Sequence, residues 1–162
     1  MQEALFYKEE NNCLYLKGEG HITAMLCGDL RELIFNRFEQ GSPIEAFYVD
    51  LSSCDYMDST FMGLLVGFNK RMLKLMKKRI TIVSPSPTAK ELLEGLGLTA
   101  LVNVVNEPVS FPQDMENINQ TRGTSIDVLL RSHENLMELS EENKKKFEAL
   151  HSVLKSQKNQ KE

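Results

Sequence analysis

The strongest constraint on this chain is an alternation of short apolar runs with helical patterns. The run AFYVDLSS (Ala46–Ser53) gives way to STFMGLLVGFNKRMLKLMKK, whose apolar residues follow helical spacing. RITIVS (Arg79–Ser84) is stopped by PSP and followed by the short helical pattern TAKELLEGLGL, with Thr88 as a candidate cap and Gly95 as a stop. LVNVV (Leu101–Val105) is the last strand candidate. Strands that alternate with helices imply right-handed crossovers and a mostly parallel sheet. The apolar continuity of Ala46–Ser53 further suggests a strand covered on both faces.

Ahead of this unit, ALFYK (Ala4–Lys8) and CLYLKG (Cys13–Gly18) flank the polar turn EENN and read as an antiparallel hairpin. HITAMLCGDLRELIFNRFEQGS then has apolar residues at helical spacing and a Gly-Ser stop. Gly28 within it disfavours helix by about 1 kcal/mol, so softness is expected there. The expected class is α/β, with a mixed, mostly parallel sheet, an opening hairpin and crossover helices. This unit spans residues 1–111.

Residues 112–123 are polar and broken by proline, a linker by composition. From Thr124 to Gln157 there is no proline or glycine, and Ile126, Leu129, Leu130, Leu136, Met137, Phe147, Leu150 and Leu154 follow three-four spacing. This predicts one long amphipathic helix, with Ser140 as the point of any interruption, and a frayed tail over 158–162. In one heptad frame His133, Ser140 and Asn143 fall on seam positions, which favours packing on its own domain or a partner over a free coiled coil. A homodimer through this helix stays open.

Composition removes several function classes. A formal net charge of −4 and a pI near 5.5 argue against a nucleic-acid binder, which needs a basic patch. No run reaches the roughly 18–20 apolar residues of a membrane span, and MQEALFYKEE has no signal-peptide pattern. A cytoplasmic location is therefore the expectation. Cys13, Cys27 and Cys54 are odd in number and widely spaced, which suits small buried thiols. His21, His133 and His151 have no metal-ligand spacing, and neither a phosphate loop nor a nucleophile elbow is present. No cofactor is expected, and no enzyme.

What remains is YMDSTFMGLL (Tyr56–Leu65), an acid and two hydroxyls in front of an apolar helical run. The plain reading makes Asp58 or Ser59 the N-cap, contributing about 1 kcal/mol. The sharper reading makes Ser59 a phosphoacceptor, because a helix N-terminus has unpaired N–H donors and a partial positive charge suited to a phosphate. Downstream, Lys70, Arg71, Lys74, Lys77, Lys78 and Arg79 form either a solvated face or a surface for an acidic partner or anionic lipid.

FYVDLSSCDYMDSTFMGLLVGFNKRM, followed by a strand, PSPTAKELLEGLGL and a final strand, resembles the STAS domain of anti-sigma factor antagonists and sulphate-transporter tails. The resemblance covers about Leu5 to Val105. It implies that Ser59 is phosphorylated by a partner serine kinase that is itself the anti-sigma factor. A PP2C-type phosphatase would reset the switch, and ATP and magnesium would belong to the kinase. It also implies a partner surface around Asp58, Ser59, Thr60, Phe61, Met62 and Gly63. Two departures stand out. Phe61 replaces the family's small glycine and is either a core anchor or an exposed partner contact. GEGHI stands where the family has G-E-L/I-D, so His21 or its neighbour takes the place of a partner-contacting acid. The competing expectation is a non-switching STAS scaffold, a subunit of a stress-signalling or lipid-transport assembly that works through its C-terminal helix. A ligand-sensing or enzymatic role would require a polar-lined pocket.

Overall fold

A computed structural model describes residues 3–118 and 124–161. The chain begins with strands β1 (Ala4–Glu10) and β2 (Cys13–Ile22), joined by Asn11 and Asn12. Both turn residues have positive φ, 54° and 64°, the backbone twist that a tight hairpin requires and that Asn tolerates better than most residues. A single 3-10 turn (Ala24–Leu26) leads into α1 (Cys27–Glu39), so the helical pattern tightens just before Gly28. Then come β3 (Ala46–Met57), α2 (Ser59–Met76), β4 (Thr81–Val83), α3 (Pro87–Gly95) and β5 (Asn103–Val105). With a sixth strand, β6 (Glu116–Asn117), the sheet order is β5-β4-β3-β2-β1-β6. The β1–β2 pair is antiparallel, and β2–β3, β3–β4 and β4–β5 are parallel.

The mixed, mostly parallel sheet is as the sequence predicts, but four details are corrected. First, β3 is not covered on both faces. Phe47, Val49, Leu51, Cys54 and Met57 are buried, while their neighbours are half-buried or exposed, so the sheet has one fully covered face. The other face is only partly screened, by Tyr15 and Tyr48 stacked at 5.6 Å with Phe111 against Tyr15 at 5.0 Å. Second, the cap of α3 is Ser86 rather than Thr88: its Oγ accepts from Ala89 N at 3.1 Å, and Pro87 occupies the first helical position. Third, the proline-broken segment contains a short edge strand, β6 (Glu116–Asn117), paired antiparallel with β1. Residues 119–123 of the expected linker lie outside the described residues.

Fourth, the predicted long helix is two helices, α4 (Ile126–Met137) and α5 (Glu141–Lys161). The break falls at the expected Ser140, whose Oγ accepts from Asn143 N at 3.0 Å and starts the second helix. Helix continues through 158–161. Apolar spacing cannot report the break, because both helices keep the same stripe. The stripe turns inward: Val128 and Leu136 join Phe147 in the core, and α5 folds back on α4.

The core is densest where α2 crosses the sheet. Phe61, Leu65 and Phe68 are fully buried, and Phe68 meets Phe47, Phe35 and Phe38. Arg37, almost fully buried, ties α1 to the rest: it donates to Glu9 at 2.6 Å and to the carbonyls of Ser42 and Pro43 at 3.0 Å. Such a charge is tolerated in the interior because its donors are paired.

Candidate functional site

Ser59 opens α2 at the carboxyl end of β3, where open α/β sheets commonly place their sites. Asp58, one residue earlier, is the N-cap. Its Oδ1 accepts from Phe61 N at 3.0 Å, and its Oδ2 accepts from Ala24 N at 2.8 Å. Its own N–H donates to Ile22 O at 3.0 Å. One carboxylate therefore fastens the start of α2 to the segment after β2. The N-cap role falls to Asp58, which leaves the Ser59 hydroxyl free for other work.

That hydroxyl meets the C-terminal helices. Ser59 Oγ lies 2.8 Å from His133 Nε2, and His133 Nδ1 lies 2.7 Å from Leu129 O. A carbonyl only accepts, so Nδ1 carries a proton; in the neutral ring Nε2 is then the acceptor and Ser59 donates to it. His133 is buried, with its ring 5.2 Å from that of Phe147. Ser59 itself is half-buried. On its open side lies a cleft of about 630 Å3 between the start of α2, α3 and α5, with Met62, Leu92, Leu96, Lys146 and Phe147 on its walls.

The other expected partner residues divide by burial. Thr60 and Met62 are almost fully buried and Phe61 fully so, because this turn of α2 is held between the sheet and the helices above it. Phe61 is thus a core anchor and offers no surface to a partner in this conformation; of its two expected roles the exposed one is corrected. Gly63 is buried beneath α4: a Cβ there would lie 2.5 Å from the Ser132 carbonyl carbon and closer still to its oxygen. Asn135 Nδ2 donates to Gly63 O at 3.1 Å. His21 is exposed, its ring 5.9 Å from that of exposed Tyr56, and Met25 is exposed nearby in sequence. The structure therefore groups Asp58 and Ser59 at the end of β3, leaves His21 on an open surface, and covers Thr60 to Gly63.

Sequence reasoning missed His133, Asn135 and Asn143 as neighbours of this site. Asn143 Nδ2 donates to both Leu96 O and Leu136 O at 2.9 Å, joining α5 to the end of α3. A signal existed in α2. Every residue from Thr60 to Asn69 is buried, and a helix that is apolar all round needs a cover on both sides. Gly63 and Gly67, one turn apart, mark where another helix comes closest. The basic residues at the far end of α2 lie at the surface. Lys74, Lys77, Lys78 and Arg79 are exposed, and Lys70 pairs with Glu138 of α4 at 2.6 Å. Among the described residues no group of His, Cys, Asp and Glu could hold a metal ion, and no helix is long and apolar enough to cross a membrane.

The fold has known counterparts. The anti-sigma factor antagonist SpoIIAA in its unphosphorylated form superposes with a TM-score of 0.56 at 17% identity, over 64% of this chain and 89% of that one. The phosphorylated form of the Bacillus cell-fate determinant SpoIIAA gives 0.52 at 19% identity, over 64% and 92%. A putative anti-sigma factor antagonist from Thermotoga maritima gives 0.52 at 17%, over 60% and 82%. At these identities the likeness shows the fold. No curated protein sequence matches the chain. A family model described as the STAS domain matches residues 6–110, well over half of the sequence. The chain belongs to the STAS domain family.

Proposed function

We propose that the protein is a regulatory adaptor of the anti-sigma factor antagonist kind. In this reading it binds a serine-kinase anti-sigma factor and is released when that kinase phosphorylates Ser59, and a PP2C-type phosphatase restores binding. The observation that carries it is the division of labour at the start of α2. Asp58 holds the helix, so Ser59 can be modified without loss of the cap. A phosphoserine adds about −1.5 to −2 charges at a helix end whose N–H groups favour anions. The cleft beside Ser59, with Lys146 on its wall, has room for the group. Exposed His21, Tyr56 and Met25 would supply the neighbouring partner surface. The chain itself does no chemistry in this scheme.

Binding assays with a purified kinase of this class test the proposal. Ser59→Ala should bind whether or not ATP is present, and Ser59→Asp should bind at least about tenfold more weakly. Equal binding by the two variants would sink the switch.

A second reading keeps the STAS unit as a non-switching scaffold that works through α4 and α5. It is favoured by one observation, the engagement of Ser59 by His133. Apolar Leu150 and Val153 remain exposed on α5 and could serve a homodimer or another subunit. Loss of partner binding on disrupting α5, with no effect of Ser59→Asp, would favour this reading.

A further inference from the structure

Beneath α4 and α5 lies a complete domain. The STAS family match ends at residue 110, and about two thirds of this chain accounts for 89–92% of SpoIIAA. The two added helices cover a surface that the shared fold does not itself cover: the start of α2, its Gly63–Gly67 face and the end of α3. We propose that α4 and α5 are a displaceable cover over Ser59. In the closed form they occupy this surface themselves. In the open form it is offered to a protein partner, which lays a helix with a small residue against Gly63, as α4 does with Ser132. This rests on the switch reading for its purpose but not for its test.

The contact is mixed in chemistry. Val128, Leu136 and Phe147 of the cover join the core, and around them the cover meets the domain through hydrogen bonds from polar side chains: Ser59 to His133, Asn135 to Gly63 O, Asn143 to Leu96 O, and Lys70 to Glu138. Each exchanges for water when the contact opens, so the net loss per bond is modest; an all-apolar contact of the same size has no such replacement. Between β5 and α4 the described residues contain only the two-residue strand β6, so no long element pins the cover to the sheet.

Closure also limits access by size. The cleft of about 630 Å3 admits small molecules to Ser59. A kinase must enclose the acceptor serine and its flanking residues, and here Thr60 to Gly63 are buried. The closed form is therefore a poor kinase substrate as well as a poor binder.

The test needs no kinase. In full-length protein, Cys13→Ser removes the one native thiol that is not buried, and Ser59→Cys places a thiol under the cover. Iodoacetamide should label it readily. A polymer-bearing maleimide should label it at least about tenfold more slowly than a Tyr56→Cys control on the open surface. Adding Asn143→Ala, which removes the side-chain donor that joins Leu96 O to Leu136 O, should speed the polymer reagent about tenfold and change iodoacetamide labelling less than about twofold; tenfold corresponds to about 1.4 kcal/mol. Polymer labelling as fast as at Tyr56→Cys, or unmoved by Asn143→Ala, overturns the proposal. Hydrogen exchange on the unaltered chain gives a second reading. The amides of α4 and α5 should exchange together and faster than those of β3 and α2, and equal protection throughout would overturn it. A Ser59 that no kinase modifies would defeat the switch reading and leave this result standing.

Discussion

Replacing Gly63 with alanine tests the docking of α4 by the sign of its effect. In an uncovered helix the change stabilises by about 1 kcal/mol, because alanine is the better helix former. Here the new Cβ would sit 2.5 Å from the Ser132 carbonyl carbon and 2.8 Å from its Cα. Carbon atoms settle about 3.5–4.0 Å apart, so α4 must retreat by roughly 1 Å or more. The obstacle is backbone, and no side-chain rotation relieves it. A retreat of that size breaks the Asn135–Gly63 bond at 3.1 Å and the Ser59–His133 bond at 2.8 Å. Two such bonds are worth about 1 kcal/mol each, and overpacking adds about 1–3 kcal/mol. Set against the gain in propensity, the net loss is about 2–4 kcal/mol. In a chain of this size that lowers Tm by about 4–16 °C. Urea and thermal unfolding followed by circular dichroism measure it, with hydrogen exchange reporting whether α4 and α5 lose protection first. A Tm that rises by about 2–4 °C, with α4 protection intact, would refute the reasoning.

Other outcomes follow from the same geometry. Asp58→Ala should cost about 2–3 kcal/mol in urea unfolding, because it removes a cap and strands Ala24 N; Asp58→Asn should recover only part of that, because its single amide oxygen can accept from Phe61 N or Ala24 N but not both. Phe61→Ala should cost about 3–5 kcal/mol as a core truncation, whereas an exposed contact would leave stability within about 0.5 kcal/mol. Burial pushes the Cys54 thiol up to about 11 from an ordinary value of 9.0, and raises Cys27 in the same direction through burial first and nearby Asp58 second. The unfolded chain therefore releases these protons first. The stability they contribute is whole below pH 9.0 and is lost as pH climbs towards 11. Urea midpoints measured from pH 8 to pH 10.5 should fall, and fall less in Cys54→Ala.

The sheet was legible because its signals are local. Apolar runs of strand length, the Asn-Asn turn, the Pro-Ser-Pro stop and the helical spacing of Ser59–Lys78 each report the backbone that forms. The site was legible in part for the same reason: capping chemistry is local, so Asp58 and Ser59 could be named as a pair, though only the coordinates show that Asp58 takes the cap and frees Ser59. What stayed hidden depends on contacts distant in sequence. Ser59 and His133 are 74 residues apart, and nothing in ELSEENK says that α5 turns back at Ser140 to bring Phe147 against His133. Phe61 could be core or surface until the cover above α2 was known. It fills the core under the very turn that presents Ser59.

Switching through Ser59 is tested most directly by mapping phosphate on the full-length chain after incubation with ATP and a serine kinase of the anti-sigma class. Peptide mass spectrometry should find a single phosphate, on Ser59, and none on buried Thr60. Failure of the kinase, active on its own substrate, to modify both the native chain and its Asn143→Ala variant, or modification elsewhere with Ser59 untouched, would contradict it.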